Sequence, residues 1–171
     1  MKNIFKLIAS AIVLVAFSTS VHAQDTKTAT ATATIITPIS LAKNVDMNFG
    51  NIAVGASGGT VVLAPAGTRS ATGGVTLPVT AGTITAADFT VSGNAAYTYA
   101  ITLPTTVTLT RASGTETMDA TAFTSTPSST GALDATLGTQ DLTVGATLTV
   151  AAAQVAGIYT SGTFDVTVNY N

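Results

Sequence analysis

The carboxylates are the side chains of this sequence that could do chemistry, because the other usual catalytic residues are scarce. The chain has eight Asp and Glu residues, one His and no Cys. Paired carboxylates can act as general acid and base in glycoside hydrolysis. Glu116 and Asp119 lie three positions apart, and Asp134 and Asp141 flank a predicted turn. Acids in such settings are more often solvated loop residues, and we expect no catalysis from these four.

Other kinds of active site lack their usual residues. A hydroxyl nucleophile needs a base beside it, and histidine usually supplies that base. The single histidine, His22, falls in a segment that we expect to be removed. Zinc and copper sites draw on His and Cys, and no calcium-loop pattern of alternating Asp residues is present. The sequence therefore predicts a protein that is not an enzyme, with no catalytic residue, metal site or cofactor.

Residues 1–23 have the features of a secretory signal peptide. Lys2 and Lys6 precede an apolar run over residues 7–17, and Val21 and Ala23 place small residues at positions −3 and −1 of a cleavage site. We therefore expect the protein to be exported to the periplasm, the cell surface or the extracellular space. Export would permit disulfides, yet the chain has no cysteine.

The composition of the remaining chain narrows the possible partners. Its length is that of one domain. Only four cations, Lys27, Lys43, Arg69 and Arg111, face eight carboxylates, so no basic surface is available for nucleic acid. No later apolar run reaches the roughly 20 residues of a membrane helix. A chain that is only 8% charged and rich in small residues suits a subunit covered by its neighbours or a protein outside the cell.

The last segment predicts a half-buried β-strand. Phe164, Val166, Val168 and Tyr170 alternate with polar residues, and a period of two places them on one face of a strand. Aromatic and β-branched residues favour such positions. We therefore expect a final strand over residues 162–170.

A second alternating segment lies near the amino terminus. Thr and Ala alternate over residues 28–36, so that one face consists of Ala29, Ala31, Ala33 and Ile35. Threonine favours strands over helices, and this segment is predicted to be extended. Its small Ala side chains would suit a narrow groove between two sheets, and the segment could be the first strand of its own domain. Pro38 ends the segment, which separates an extension over residues 24–37 from a domain over residues 38–171.

The chain between these segments is typical of an all-β protein. Short strand-like runs alternate with Gly- and Pro-bearing breaks, and almost no helical periodicity is present. This pattern predicts an antiparallel, immunoglobulin-like β-sandwich. The predicted strands cover residues 39–44, 60–63, 75–79, 89–91, 97–103, 107–110, 122–124, 140–144, 146–150 and 162–170.

The carboxyl terminus resembles that of pilus subunits assembled by the chaperone–usher pathway. Those subunits typically end in an alternating apolar strand with a penultimate aromatic residue and a glycine about fourteen residues before the end. Here Tyr170 is penultimate, and Gly157 precedes Asn171 by fourteen positions. In such pilins an amino-terminal extension of alternating small and apolar residues completes the next subunit. The resemblance implies that Ala29, Ala31, Ala33 and Ile35 form a donor strand and that Gly157 and the final strand take part in assembly.

The tripeptide Asn48, Phe49, Gly50 resembles a turn near the start of spore-coat-U and archaic pilin domains. Residues 59–63 and 73–77 also look like the pattern of those domains and of a family of uncharacterised bacterial secreted β-proteins. Many better-known pilins carry a disulfide near this region, which this chain lacks, so the resemblance favours a divergent type. It implies a pilin-like fold, a homopolymer, a periplasmic chaperone and an outer-membrane usher of a Gram-negative envelope.

Two other functions fit parts of the sequence. A self-complete secreted sandwich could bind a surface glycan or protein. Tyr97 and Tyr99 share a strand face and could form a sugar platform, or they could equally well be ordinary core or cross-strand pairs. A small outer-membrane β-barrel would need eight strands of roughly 10 residues and aromatic girdles, and aromatics are only 6% of this chain. The main hypothesis is a non-enzymatic structural subunit of a fimbria, pilus or biofilm matrix that assembles by strand exchange and serves cell adhesion.

The export hypothesis makes a direct prediction. The mature protein should begin at Gln24, because Ala23 closes the one good small-x-small site after the apolar run. Mass spectrometry of the protein recovered from the periplasm or medium measures its amino terminus. Recovery of the exported protein with Met1 still attached would contradict the prediction.

Overall fold

Antiparallel β-strands build the domain in the computed structural model, which describes residues 24–171. The predicted signal peptide, residues 1–23, lies outside the described residues. The chain divides into two units, Met1–Ile35 and Ile36–Asn171. In the first unit, the described residues 24–35 belong to no strand. Every strand among the described residues lies in the second unit.

The second unit contains eleven strands. In chain order they are β1 (Ser40–Val45), β2 (Ala53–Leu63), β3 (Arg69–Thr76), β4 (Ala87–Ser92), β5 (Thr98–Thr102), β6 (Thr106–Arg111), β7 (Thr117–Thr126), β8 (Thr130–Ala132), β9 (Thr139–Val150), β10 (Tyr159–Thr160) and β11 (Thr167–Tyr170).

The strands form two sheets, in which every pair is antiparallel. The large sheet has eight strands, in the order β1-β4-β9-β7-β6-β10, with β2 joined to β9 and β3 joined to β2. The small sheet has three strands, in the order β11-β5-β8. The large sheet is curled, and the small sheet is the second layer. The predicted all-β class and antiparallel β-sandwich are confirmed.

Strand β9 is the centre of the large sheet because it has two different partners along one edge. Its first half, residues 139–144, pairs with β4, and its second half, residues 146–150, pairs with β2. Strand β7 occupies the other edge over residues 143–149. Gly145 lies at the point where β2 ends and β4 begins, and a Cβ atom there would overlap the carbonyl oxygen of Leu63.

The core has two clusters, which correspond to these two halves of β9. The even-numbered residues of β9 from Leu142 to Val150 are all buried, as strand alternation requires. Leu142 and Val144 belong to the second cluster, which the small sheet covers and which also contains Tyr99 and Val168. The other cluster contains residues of β2, β3, β7 and β9, namely Val61, Leu63, Val75, Ala120, Ala146, Leu148 and Val150, together with Phe49. No described residue of the small sheet belongs to it.

Several predicted strand boundaries were wrong, and the short strands β8 and β10 were not predicted. Three of the wrong boundaries have a clear structural reason. A break at Gly145 was expected between residues 140–144 and 146–150, but β9 continues through Gly145 because Thr124 of β7 pairs with it. The strand expected over residues 75–79 is β3, which begins at Arg69 and ends at Thr76, and Val79 is fully exposed. The last strand starts at Thr167, not at residue 162, because the preceding residues have no partner strand.

The position of Gly145 predicts a specific loss of stability. Replacing Gly145 with Ala should lower the free energy of unfolding by about 1–3 kcal/mol, because the added methyl group would displace the end of β2. Gly162→Ala is the matched control, since a Cβ at Gly162 would meet nothing within 4 Å. Urea denaturation measures both. Equal stabilities of the two variants would show that the change of partner along β9, from β4 to β2, does not require glycine.

Candidate functional site

The four carboxylates considered for catalysis have separate structural roles. Glu116 forms an ion pair with Arg111, in which Nε donates to Oε2 at 2.6 Å and Nη2 donates to Oε1 at 3.1 Å. Asp119 accepts a hydrogen bond from the Thr108 hydroxyl at 2.7 Å. The Oδ1 atom of Asp134 accepts from two backbone N–H groups of its own loop, and Asp141 is exposed on β9. The structure does not bring these acids together into one site.

Two of these acids are held in the charged form. The hydrogen bond from Arg111 lowers the pKa of Glu116, assisted by backbone N–H groups. The N–H groups of Leu137 and Thr136 lower the pKa of Asp134. Both shifts favour the carboxylate, and a general acid needs the opposite shift.

The described residues also lack two other features. Within residues 24–171, no group of three His, Cys, Asp or Glu side chains lies close enough together to hold a metal ion. The same part of the chain has no helix with the length and apolar character needed to cross a membrane.

A cavity of about 1260 Å³ lies over the first core cluster. We call it the open groove. Its floor is the inner face of three adjacent strands, with Val107 and Leu109 of β6, Met118 and Ala120 of β7, and Leu148 and Val150 of β9. Val107, Leu109 and Met118 are only half-buried. The small sheet covers the other half of the large sheet, and the segments that border this floor are largely irregular.

One wall of the open groove is residues 45–54, which include the predicted turn at residues 48–50. The Oδ1 atom of Asn48 accepts a hydrogen bond from the N–H of Gly50 at 2.8 Å. Gly50 has a φ of +70°, and a Cβ there would lie 2.5 Å from the carbonyl oxygen of Ala81. Arg69 donates to the carbonyl oxygens of Phe49 and Asn51. The turn therefore points Phe49 into the core and depends on the Arg69 guanidinium.

The opposite wall is residues 154–164, which include the predicted assembly residue Gly157. A Cβ at Gly157 would lie 2.8 Å from Cδ of Arg111, so the missing side chain lets the Arg111 stem pass. The N–H of Ala112 then donates to the carbonyl oxygen of Ile158 at 2.9 Å. The Ile158 side chain is 74% exposed at the rim of the groove.

The end of this wall and the residue that follows it have no backbone hydrogen-bond partners among the described residues. Residues 162–165 form no backbone hydrogen bond to any other residue in the described range 24–171. Their side chains nevertheless follow the predicted alternation, since Phe164 is half-buried and Asp165 is exposed. The Phe164 ring lies 5.7 Å from that of Phe123. This segment borders the open groove with its backbone donors and acceptors unused.

The other predicted residues of the last segment belong to the second core cluster. Val168 is buried, and Val166 and Tyr170 pack beside it. The Tyr170 hydroxyl makes two hydrogen bonds to the backbone. Of the two alternatives for Tyr97 and Tyr99, the sugar platform was wrong, because Tyr99 is a core residue that is completely buried and donates to Gln140 at 2.8 Å. Burial raises the pKa of the Tyr99 hydroxyl.

The predicted donor residues lie in the first unit. Ala29, Ala31, Ala33 and Ile35 are all exposed, Ile35 at 96%. Thr30, Thr32 and Thr34 on the alternate face are exposed as well. The first strand of the domain is β1, which starts at Ser40. Among the described residues, no strand contains or pairs with residues 28–36.

Comparison with known proteins places the domain in a family. The sequence profile of a domain of unknown function, DUF4402, matches residues 39–170. The chain belongs to the DUF4402 family. The matched region of this DUF4402 protein contains both walls and the floor of the open groove, and it starts after the extension. None of the curated proteins and none of the solved structures matches the chain.

Sequence reasoning did not identify the floor of the open groove or the role of Arg69. Alternation in β6 showed that Val107 and Leu109 share a face, but it could not show that the layer above them is missing. Arg69 was noted only as one of four cations. Its hydrogen bonds to residues 49 and 51 depend on a turn that is brought near only by the pairing of β2 with β3.

The lowered pKa values predict how stability depends on pH. A carboxylate whose folded-state pKa lies below its ordinary value stabilises the fold at higher pH, and that contribution is lost as pH falls through the folded-state pKa. For Glu116, whose ordinary value is 4.5, the loss occurs below about pH 4.5. Glu116→Gln should therefore flatten the acid limb of a plot of unfolding free energy against pH.

Arg111→Gln is the matched variant for this measurement. It removes the main cause of the lowered Glu116 pKa and should flatten the same part of the curve. Urea denaturation at a series of pH values between about 3 and 6 spans the range in which carboxylates titrate. An acid limb in Glu116→Gln as steep as in the unmodified protein would contradict the assignment.

Proposed function

We propose that this DUF4402 protein is a non-enzymatic structural subunit of a bacterial surface fimbria, pilus or biofilm matrix. Residues 28–36 of one copy complete the open groove of the next copy. The observation that carries this proposal is the open groove itself, an apolar floor bordered by residues 162–165 with unpaired backbone groups. Unpaired strand edges are templates for an added strand from another chain.

The chemistry of the groove suits the amino-terminal segment. Among the described residues that line it, Lys43 and Asp46 are the only charged ones, and they pair with each other at 2.6 Å. Residues 28–36 carry no charge, and the nearest charged residues, Asp25 and Lys27, also pair with each other. An alternating segment could place its Ala and Ile side chains on the floor and its Thr side chains toward solvent.

The position of the groove favours a donor from a second copy. Strand β1 supplies Lys43 and Val45 to the groove, whereas the extension joins β1 at the opposite end, Ser40. From Ser40 to Val45 the strand advances five residues, which is about 17 Å. To reach its own groove, the extension would have to reverse direction and run back along β1. Ala33 and Ile35 would then lie beside β1 and not on the floor.

This arrangement also accounts for the low charge of the chain. A donor on one surface and a groove on another make a head-to-tail contact, and such a contact forms open filaments unless its rotation closes a ring. In a filament, neighbours cover much of each subunit. The proposal includes export, a periplasmic chaperone that protects the groove before assembly, and an outer-membrane usher, as the pilin resemblance implies.

Deletion and relocation of the extension test the proposal. The mature protein should polymerise, and deletion of residues 24–37 should abolish polymerisation. Appending residues 24–37 after Asn171 through a flexible linker, in the protein that lacks its own extension, should give a monomer that melts at a higher temperature. Sedimentation velocity and thermal unfolding measure these outcomes. A mature protein that stays monomeric at high concentration and melts cooperatively would rule out strand exchange.

Substitutions on the two faces of the extension provide a matched comparison. Ala31→Phe should weaken assembly, because overfilling a packed site costs about 1–3 kcal/mol. Thr32→Phe adds a similar bulk to the alternate face and should weaken assembly much less. Calorimetry measures the binding of a synthetic peptide of residues 28–36 to the protein without its extension. Peptides that carry one or the other substitution show how much each face contributes to binding. Equal losses for the two peptide variants would contradict the proposed orientation.

A further inference from the structure

The hydroxyl group of Tyr170 connects two distant parts of the chain. It donates a hydrogen bond to the carbonyl oxygen of Thr37 at 2.8 Å and accepts one from the N–H of Asn94 at 2.6 Å. Thr37 is the last residue of the extension, and Asn94 belongs to the turn after β4. The penultimate residue of the chain therefore holds the point at which the extension joins the domain.

The surroundings of Tyr170 are built to keep this hydroxyl in place. A Cβ atom at Gly93 would overlap the Tyr170 hydroxyl, so only glycine leaves room for it. The N–H of Gly93 donates to the carbonyl oxygen of Gly138 at 2.9 Å, which fixes the turn from the other side. The Tyr170 ring packs edge-on against Tyr97 with centroids 5.6 Å apart, and its backbone pairs with Tyr99 of β5.

The chain next to Thr37 is itself restricted. Pro38 has a fixed φ, and a residue before proline is held in extended conformations. The bond from Tyr170 to Thr37 is thus placed where the backbone is already stiff.

We infer that the Tyr170 hydroxyl is a positioning group that fixes where and in which direction the amino-terminal extension leaves the domain. Its role in assembly rests on the proposed function, whereas its effect on the extension does not. The role needs a group that donates and accepts at once, which a hydroxyl does and a phenyl ring does not. Phenylalanine would keep the ring contacts and the strand pairing of β11 but would release Thr37.

A pair of spin labels measures the effect directly, because the chain has no cysteine of its own. Labels at Thr34→Cys in the extension and Thr149→Cys, exposed on β9, report how widely the extension moves relative to the domain. Samples are kept dilute enough to be monomeric by sedimentation. Loss of a hydrogen bond of ordinary strength should raise the detached population about 5-fold. Tyr170→Phe should therefore broaden the distance distribution measured by pulsed electron paramagnetic resonance.

Tyr97→Phe is the matched control, because no described residue forms a hydrogen bond with the Tyr97 hydroxyl and its ring contact with Tyr170 is kept. It should leave the distance distribution unchanged. Gly93→Ala is an independent second variant, which keeps Tyr170 but displaces its hydroxyl, and it should broaden the distribution as Tyr170→Phe does. A distribution of unchanged width in folded Tyr170→Phe or Gly93→Ala protein would overturn the inference.

The outcome is separate from that of the assembly experiment. A broadened distribution in a protein that never polymerises would support the positioning role and reject strand exchange. Normal polymerisation with an unchanged distribution would support strand exchange and reject the positioning role.

Discussion

The fold depends on one strand that hydrogen-bonds with three others. Along one edge β9 passes from β4 to β2 at Gly145, and along the other it pairs with β7. Because of this change of partner, a single strand buries side chains in both core clusters, and its alternation continues unbroken from Leu142 to Val150. The two clusters are therefore joined through β9, although different segments cover them.

The unequal cover over the two clusters creates the candidate site. A regular three-stranded sheet closes the second cluster, and its members include Tyr99 and Val168. Above the first cluster lie Phe49 and the irregular segments on either side, and the cavity between those segments remains open. The half of the large sheet that the small sheet does not cover leaves apolar surface exposed, and residues 162–165 beside it leave backbone groups unpaired. Burying the former and pairing the latter are the two gains that an added strand provides.

Much of the fold could be predicted from the alternation of apolar and polar residues, because a repeat of two residues indicates which face of a strand is buried. It correctly placed Phe164, Val166, Val168 and Tyr170 on one face. It could not state which strand pairs with which, and so Phe164 and Val166 were assigned to a strand that begins only at Thr167. The same limit explains Tyr97 and Tyr99, because alternation alone could not show that Tyr99 on β5 is covered completely while Tyr97, just before β5, is exposed.

The sequence pointed to some residues of the candidate site and missed others for a similar reason. Gly157 was noted for its distance from the chain end, and the structure shows that it makes room for the Arg111 stem. The floor of the open groove consists of ordinary strand residues, which differ from other core residues only in what fails to cover them. Missing cover is a property of the assembled sandwich, and no local pattern of residues records it.

The order of the strands along the chain has a consequence for how the domain folds. Strand β9 is the ninth of eleven, yet it joins β2 and β4, which precede it by many residues, to β7. Until β9 is available, β2 and β4 have no common neighbour and neither core cluster can close. Pairings between distant segments are slow to form because long loops must close first. The domain should therefore acquire its structure late, in one cooperative step, and the nascent chain should stay open for most of its length.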